Sequence, residues 1–219
     1  MLHLIQLVIQ IQAVEEYTAK LMREHERIVF NGNGYSEEWP VEAEKRGLPN
    51  CKSIVDAIPA LVDDTTVEMY EKFNVLSKAE LEAREDILFE QYAGVRNIEA
   101  LTMIEMANKM IIPAAVKYTK KLADTVIAVK EAGADASVQA DMLSEVSGKL
   151  AEMKTAVKAL EEVTAKAADA ECTKCKAEEY KDDVMAAMAE LRKPADELEL
   201  IMPKELWPMP TYGDLVFEL

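Results

Sequence analysis

The chain has 219 residues, half of them apolar, and carries 41 acidic against 25 basic side chains for a formal charge of −16. That length and composition support a real core in one large domain or two small ones and argue against disorder, while the acidic excess repels nucleic acid and anionic membranes. Seven glycines, eight prolines and 6% aromatics, with Ala, Glu, Lys, Leu and Met dominating the second half, predict an almost all-helical protein.

Residues 1–30 read as an N-terminal apolar helix. The opening MLHLIQLVIQIQ is short, is interrupted by Gln6, Gln10 and Gln12, and has neither a basic start nor a small-residue cleavage site, so it reads as neither a signal peptide nor a membrane span. From Leu4 to Val29 the apolar positions suit a helix with Glu15, Glu16, Lys20, Arg23 and Glu24 on a polar side. A helix this apolar at Met1 is expected to have an upstream packing partner, with a natural start buried in a bundle as the alternative.

Residues 31–76 are expected to form a turn and short helices. RIVFNGNGYSEEWP places a glycine-rich turn between an apolar run and a helix start, with Ser36 as its N-cap, Glu37 and Glu38 in the first turn and Gly47 as a left-handed stop. Asp64 or Thr65 is placed to cap a helix ending at Phe73.

The long-helix bundle is assigned to 77–202. Ser77 and Glu80 match a capping box, and the helix that they open is expected to run to Glu131, with a break or bend near Gly94 and Pro113 and a stop at Gly133. Leu143, Val146, Leu150, Met153, Val157, Leu160, Thr164 and Ala167 then alternate gaps of three and four, a narrow seam on a helix from Ser137 to Ala170. Tyr180, Val184, Met188, Leu191, Ala195, Leu198 and Ile201 repeat the pattern. Two such helices joined near Cys172 should pair antiparallel, giving an all-α bundle with a protruding helical hairpin. Residues 203–219 are read as an extended proline-containing strap, in which Trp207, Tyr212 and Phe217 are the candidate contact residues.

No catalytic, cofactor-binding or metal-ligating residues stand out. A P-loop needs Lys and Ser/Thr after its last glycine, whereas Gly34 is followed by Tyr35, Ser36, Glu37 and Glu38, so NGNG reads as a structural turn with Asn and Gly accepting positive φ. Cys172 and Cys175 have C-x-x-C spacing but no second pair and no neighbouring histidine, since His3 and His25 lie far away in sequence; they read as incidental thiols. With Cys51 they make an odd number, which points to a reducing compartment, the cytoplasm. Met103, Met106 and Met110 fall at helical spacing and read as core.

Four stretches in order, RIVFNGNGYSEEWPVEAEKRGLPN, NVLSKAELEAR, NIEALTMIEMANKMIIPAAVKYTKKLAD and PKELWPMPTYGDLVF, resemble the carboxy-terminal region of type III glutamine synthetases. The resemblance runs from about Glu15 to the C-terminus. It implies a parent enzyme that joins ammonia to glutamate with ATP and magnesium or manganese, using β-rich regions upstream of this segment. It carries no catalytic residue onto these positions. The role expected is therefore structural, in a homo-oligomer, with the remainder of the subunit and neighbouring subunits as partners. A free-standing helical interaction module is the alternative, and a small metal-binding bundle built on Cys172 and Cys175 a third.

Overall fold

The computed structural model describes residues 2–217, with side chains described for 10–211 and 213–217. The chain divides between Lys52 and Ser53 into two compact units, and among the described residues every regular element is helical.

The first unit contains α1 (Leu2–Glu24), which tightens into a 3-10 turn at Glu26–Ile28, and α2 (Glu38–Lys45). Pro40 lies near the start of α2, where a missing N–H breaks no helical bond. Gly47 closes that helix at φ +68°, and the Leu48 N–H donates to the Ala43 carbonyl at 2.9 Å, as the left-handed stop required. Ser36 does not cap α2. Its hydroxyl donates to the Asn33 carbonyl at 2.8 Å and so closes the preceding turn, leaving Glu37 at the cap position without a side-chain cap bond.

The second unit starts with α3 (Ile54–Ala57), where the Ser53 hydroxyl accepts from the Val55 N–H at 3.2 Å, followed by a 3-10 turn at Ile58–Leu61. In α4 (Asp64–Lys72) the cap position belongs to Asp63, not to Asp64 or Thr65, and the Thr65 hydroxyl donates to its carboxylate. The expected capping box opens α5 (Lys78–Met106): Glu80 accepts from the Ser77 N–H at 2.8 Å while its own N–H donates to the Ser77 hydroxyl at 3.4 Å.

α5 runs through Gly94 without a break, because one helical glycine costs only about 1 kcal/mol relative to alanine. The irregularity lies further on, in a π turn at Ala107–Ile111 where the Ile112 N–H donates to the Ala107 carbonyl. That extra residue lets Pro113 enter in the first turn of α6 (Ile112–Glu131), where its missing N–H is tolerated. Gly133, at φ +76°, ends α6.

α7 (Ser137–Ala168) is the centre of the unit and packs along both α6 and the last long helix. That last helix is built as α8 (Thr173–Glu179), a π turn at Tyr180–Val184, and α9 (Met185–Ile201). Val146, Met153, Val157, Leu160, Thr164 and Ala167 of the α7 seam are all buried, and so are Tyr180, Val184, Leu191 and Leu198 facing them. The pairing is antiparallel: Lys149 meets Glu197 at 2.7 Å and Lys166 meets Asp183 at 3.1 Å. Asn108 in the π turn ties the third side, donating to Glu161 at 3.2 Å and accepting from Lys154 at 3.1 Å. A second, smaller cluster of Val55, Ile58, Phe89 and Ala177 clamps the start of α8 between α3 and α5. No helix among the described residues is long and apolar enough to cross a membrane.

The tail is not extended throughout. Pro203–Thr211 is irregular, but α10 (Tyr212–Phe217) is helical, because Pro210 is the last proline and Thr211 with Asp214 forms a reciprocal cap. The Thr211 N–H donates to the Asp214 carboxylate at 2.8 Å, and the Asp214 N–H returns a bond to the Thr211 hydroxyl at 3.3 Å.

Trp207 is only 7% exposed and joins the main core with Met202, Leu206 and Met209 against it, while its indole N–H has no acceptor among the described residues. Its role is apolar filling. Trp207→Ala should therefore cost about 3–5 kcal/mol in urea unfolding, whereas Trp207→Phe, which removes an unmatched donor, should cost far less; equal losses would contradict this reading.

Candidate functional site

Three surfaces are candidates, beginning with the NGNG turn. The two amides that follow it turn back onto Asn33: the Tyr35 N–H donates to Asn33 Oδ1 at 3.0 Å and the Ser36 N–H to the Asn33 carbonyl at 3.1 Å. The nearby cation is engaged too, since Arg46 donates to the Val29 carbonyl at 2.7 Å and to Glu42 at 2.7 Å. Phe30 and Trp39 stack at 4.6 Å. Neither glycine of the turn has positive φ, which corrects the expectation. Gly32 instead leaves room for the Phe30 ring, which would have to shift from an added Cβ 2.5 Å away. The concavity beside the turn is lined by both signs of charge, Glu26 and Glu38 with Arg27 and Arg46.

A second surface is the outer face of α5. Ile87, Gly94, Ile98 and Leu101 fall within roughly 60° of arc at 3.6 residues per turn, and the three apolar side chains are 59%, 65% and 51% exposed. Nothing lies within 4 Å of a Cβ added at Gly94, so the row has an open notch at its middle. The opposite face of the same helix buries Phe89, Ala93 and Ala100. The sequence-derived contact residues divide: Trp207 is consumed by the core, Phe217 is 82% exposed beside exposed Leu215 and Val216, and the Tyr212 side chain lies outside the described residues.

The third surface surrounds the joint between α7 and α8. A concavity of about 470 Å³ is lined by residues that include Glu90, Asn97, Glu171, Cys172, Lys176 and Tyr180. Cys172 and Cys175 are not incidental thiols there, as the sequence suggested, but form a disulfide with Cα atoms 5.2 Å apart. Cys172 holds the extended N-cap position and Cys175 comes one turn later, which brings the sulfurs together. Burial pushes the Tyr180 phenol above its ordinary pKa. Among the described residues no three His, Cys, Asp or Glu side chains cluster as a metal site.

Comparison with known proteins decides the family. Residues 13–130, more than half of the chain, match the glutamine synthetase C-terminal domain. The chain belongs to that family. It is 36% identical over 210 residues to a glutamine synthetase of Butyrivibrio fibrisolvens, covering 95% of this chain and 30% of the relative. It is 30% identical over 200 residues to the type-3 glutamine synthetase of Dictyostelium discoideum, and 29% identical over 198 residues to a glutamine synthetase of Bacteroides fragilis strain YCH46. The chain thus spans 27–30% of the length of these glutamine synthetases.

In this glutamine synthetase C-terminal domain the exposed tail helix is held by a titratable latch. The Lys204 ammonium, then the Thr211 N–H and hydroxyl, hold the Asp214 carboxyl at about 2, below its ordinary 3.8. A depressed folded-state pKa stabilises above the unfolded value and is lost as pH falls through the folded one. Amide exchange at Leu215, whose N–H donates to the Thr211 carbonyl at 3.0 Å, should therefore accelerate relative to core amides as pH drops from about 4 to about 2. Asp214→Asn should remove that pH dependence; an unchanged profile in the variant would refute the latch.

Proposed function

We propose that this chain is the helical, non-catalytic C-terminal segment of a type III glutamine synthetase subunit, and that it holds subunits together in a cytoplasmic homo-oligomer. The parent enzyme ligates ammonia to glutamate with ATP and magnesium or manganese. Those ligands belong, in this reading, to the larger share of the subunit that the aligned relatives carry beyond the matched region.

The observation that supports an assembly role is the α5 row. The α7 seam spends its apolar side chains inside the chain, whereas Ile87, Ile98 and Leu101 leave theirs on the surface around the Gly94 notch. Two copies of such a row pair across a two-fold axis with the notch admitting close backbone approach. Phe217 on the tail is the second contact candidate.

Sedimentation velocity tests the role. The pair Ile98→Asp with Leu101→Asp should lower the oligomer mass while helical circular dichroism and thermal stability stay near those of the unsubstituted chain, because both positions are exposed. Phe217→Ala should weaken assembly in the same sense. A mass unchanged by all three substitutions would count against the proposal.

A further inference from the structure

The disulfide at the α7–α8 joint is not among the groups that the α5 contact uses, although Gly94 lines the concavity beside it. A structural staple is a poor account of it. Cross-linking stabilises mainly by restricting the unfolded chain, an effect that grows with the enclosed loop, and a link between residues three apart encloses almost none. The start of α8 is already held without it. Ala177 is fully buried among Val55, Ile58 and Phe89, the Thr173 hydroxyl donates to Asp86 at 2.9 Å, and Lys181 donates to Asp56 at 2.7 Å.

Access points the other way. Cys172 and Cys175 are both exposed, and Cys172 lines the roughly 470 Å³ concavity together with Lys176, Asn97 and Glu90. The two sulfurs are inequivalent: the Cys175 N–H donates to Cys172 Sγ at 2.9 Å. That donor stabilises negative charge on the Cys172 sulfur, the condition for a nucleophilic thiol, and Lys176 lines the same concavity together with the carboxylates Glu90 and Glu171.

We propose that Cys172 and Cys175 form a thiol–disulfide exchange site whose co-reactant is a low-molecular-weight thiol/disulfide couple of the glutathione class, admitted at the concavity beside Lys176. In the oxidising direction the Cys172 thiolate attacks one sulfur of the small disulfide, whose S–S bond breaks and releases one thiolate. The Cys175 thiolate then attacks the Cys172 sulfur of the mixed disulfide and displaces the second. The two protons given up by the cysteines end on the two released thiols, so one small disulfide is reduced as one protein disulfide forms. Two molecules of the small thiol run the same steps in reverse.

The full chain equilibrated in glutathione buffers of graded composition, quenched by alkylation and read by peptide mass spectrometry, tests the site. The disulfide-to-dithiol ratio at Cys172 and Cys175 should change about tenfold for each tenfold change in the ratio of oxidised glutathione to reduced glutathione squared. In Cys175→Ser, where the second attack is impossible, a single glutathione adduct should accumulate on Cys172 in excess over Cys51, the exposed third cysteine. A pair that stays oxidised across the whole series is a fixed link, and one that stays reduced is incidental; either result overturns the proposal. Equal adduct on Cys172 and Cys51 overturns the assignment of Cys172 as the attacking sulfur.

Discussion

The second unit is organised by the need of one 32-residue helix to bury a narrow seam. α7 has no broad apolar face. Its side chains at alternating three- and four-residue gaps are covered only if neighbours lie nearly parallel to its axis on both flanks. α6 meets one flank and α9 the other, and the two π turns adjust phase where these partners need it. One allows Pro113 to enter α6, and the other lies where buried Tyr180 and Val184 join the core. Trp207 then covers part of the same core from the tail.

The arrangement also sorts which apolar residues remain for other work. With the seams satisfied inside the chain, the surface row on α5 and the end of α10 are left outside. They lie on rigid or latched helices, which suits contact with another chain better than chemistry on a small substrate. The concavity at the α7–α8 joint is the exception, since it combines a reactive sulfur pair with a cation.

Much of this was readable in the sequence because local rules and packing agreed. The Ser77–Glu80 box, the stops at Gly47 and Gly133, and the α7 seam all rest on backbone chemistry or periodicity that tertiary structure did not override. Where competing local bonds decided the outcome, the reading failed. Ser36 closed a turn rather than capping a helix, and Gly32 answered to the Phe30 ring rather than to positive φ. The Thr211–Asp214 cap turned the strap helical after Pro210. The disulfide was hidden for another reason: here Cys172 takes an extended cap conformation that brings the two sulfurs together, which spacing alone does not specify. Trp207 and Phe217 look alike as large apolar tail residues, and only packing separates the buried one from the exposed one.

We propose that these residues supply architecture rather than ligation. Glutamine formation from glutamate, ammonia and ATP, with magnesium or manganese present, measured on the purified chain, tests this most directly. No turnover above a protein-free control is the expected result. ATP-dependent glutamine synthesis that scales with the concentration of this chain would contradict it and would place catalytic groups within these helices.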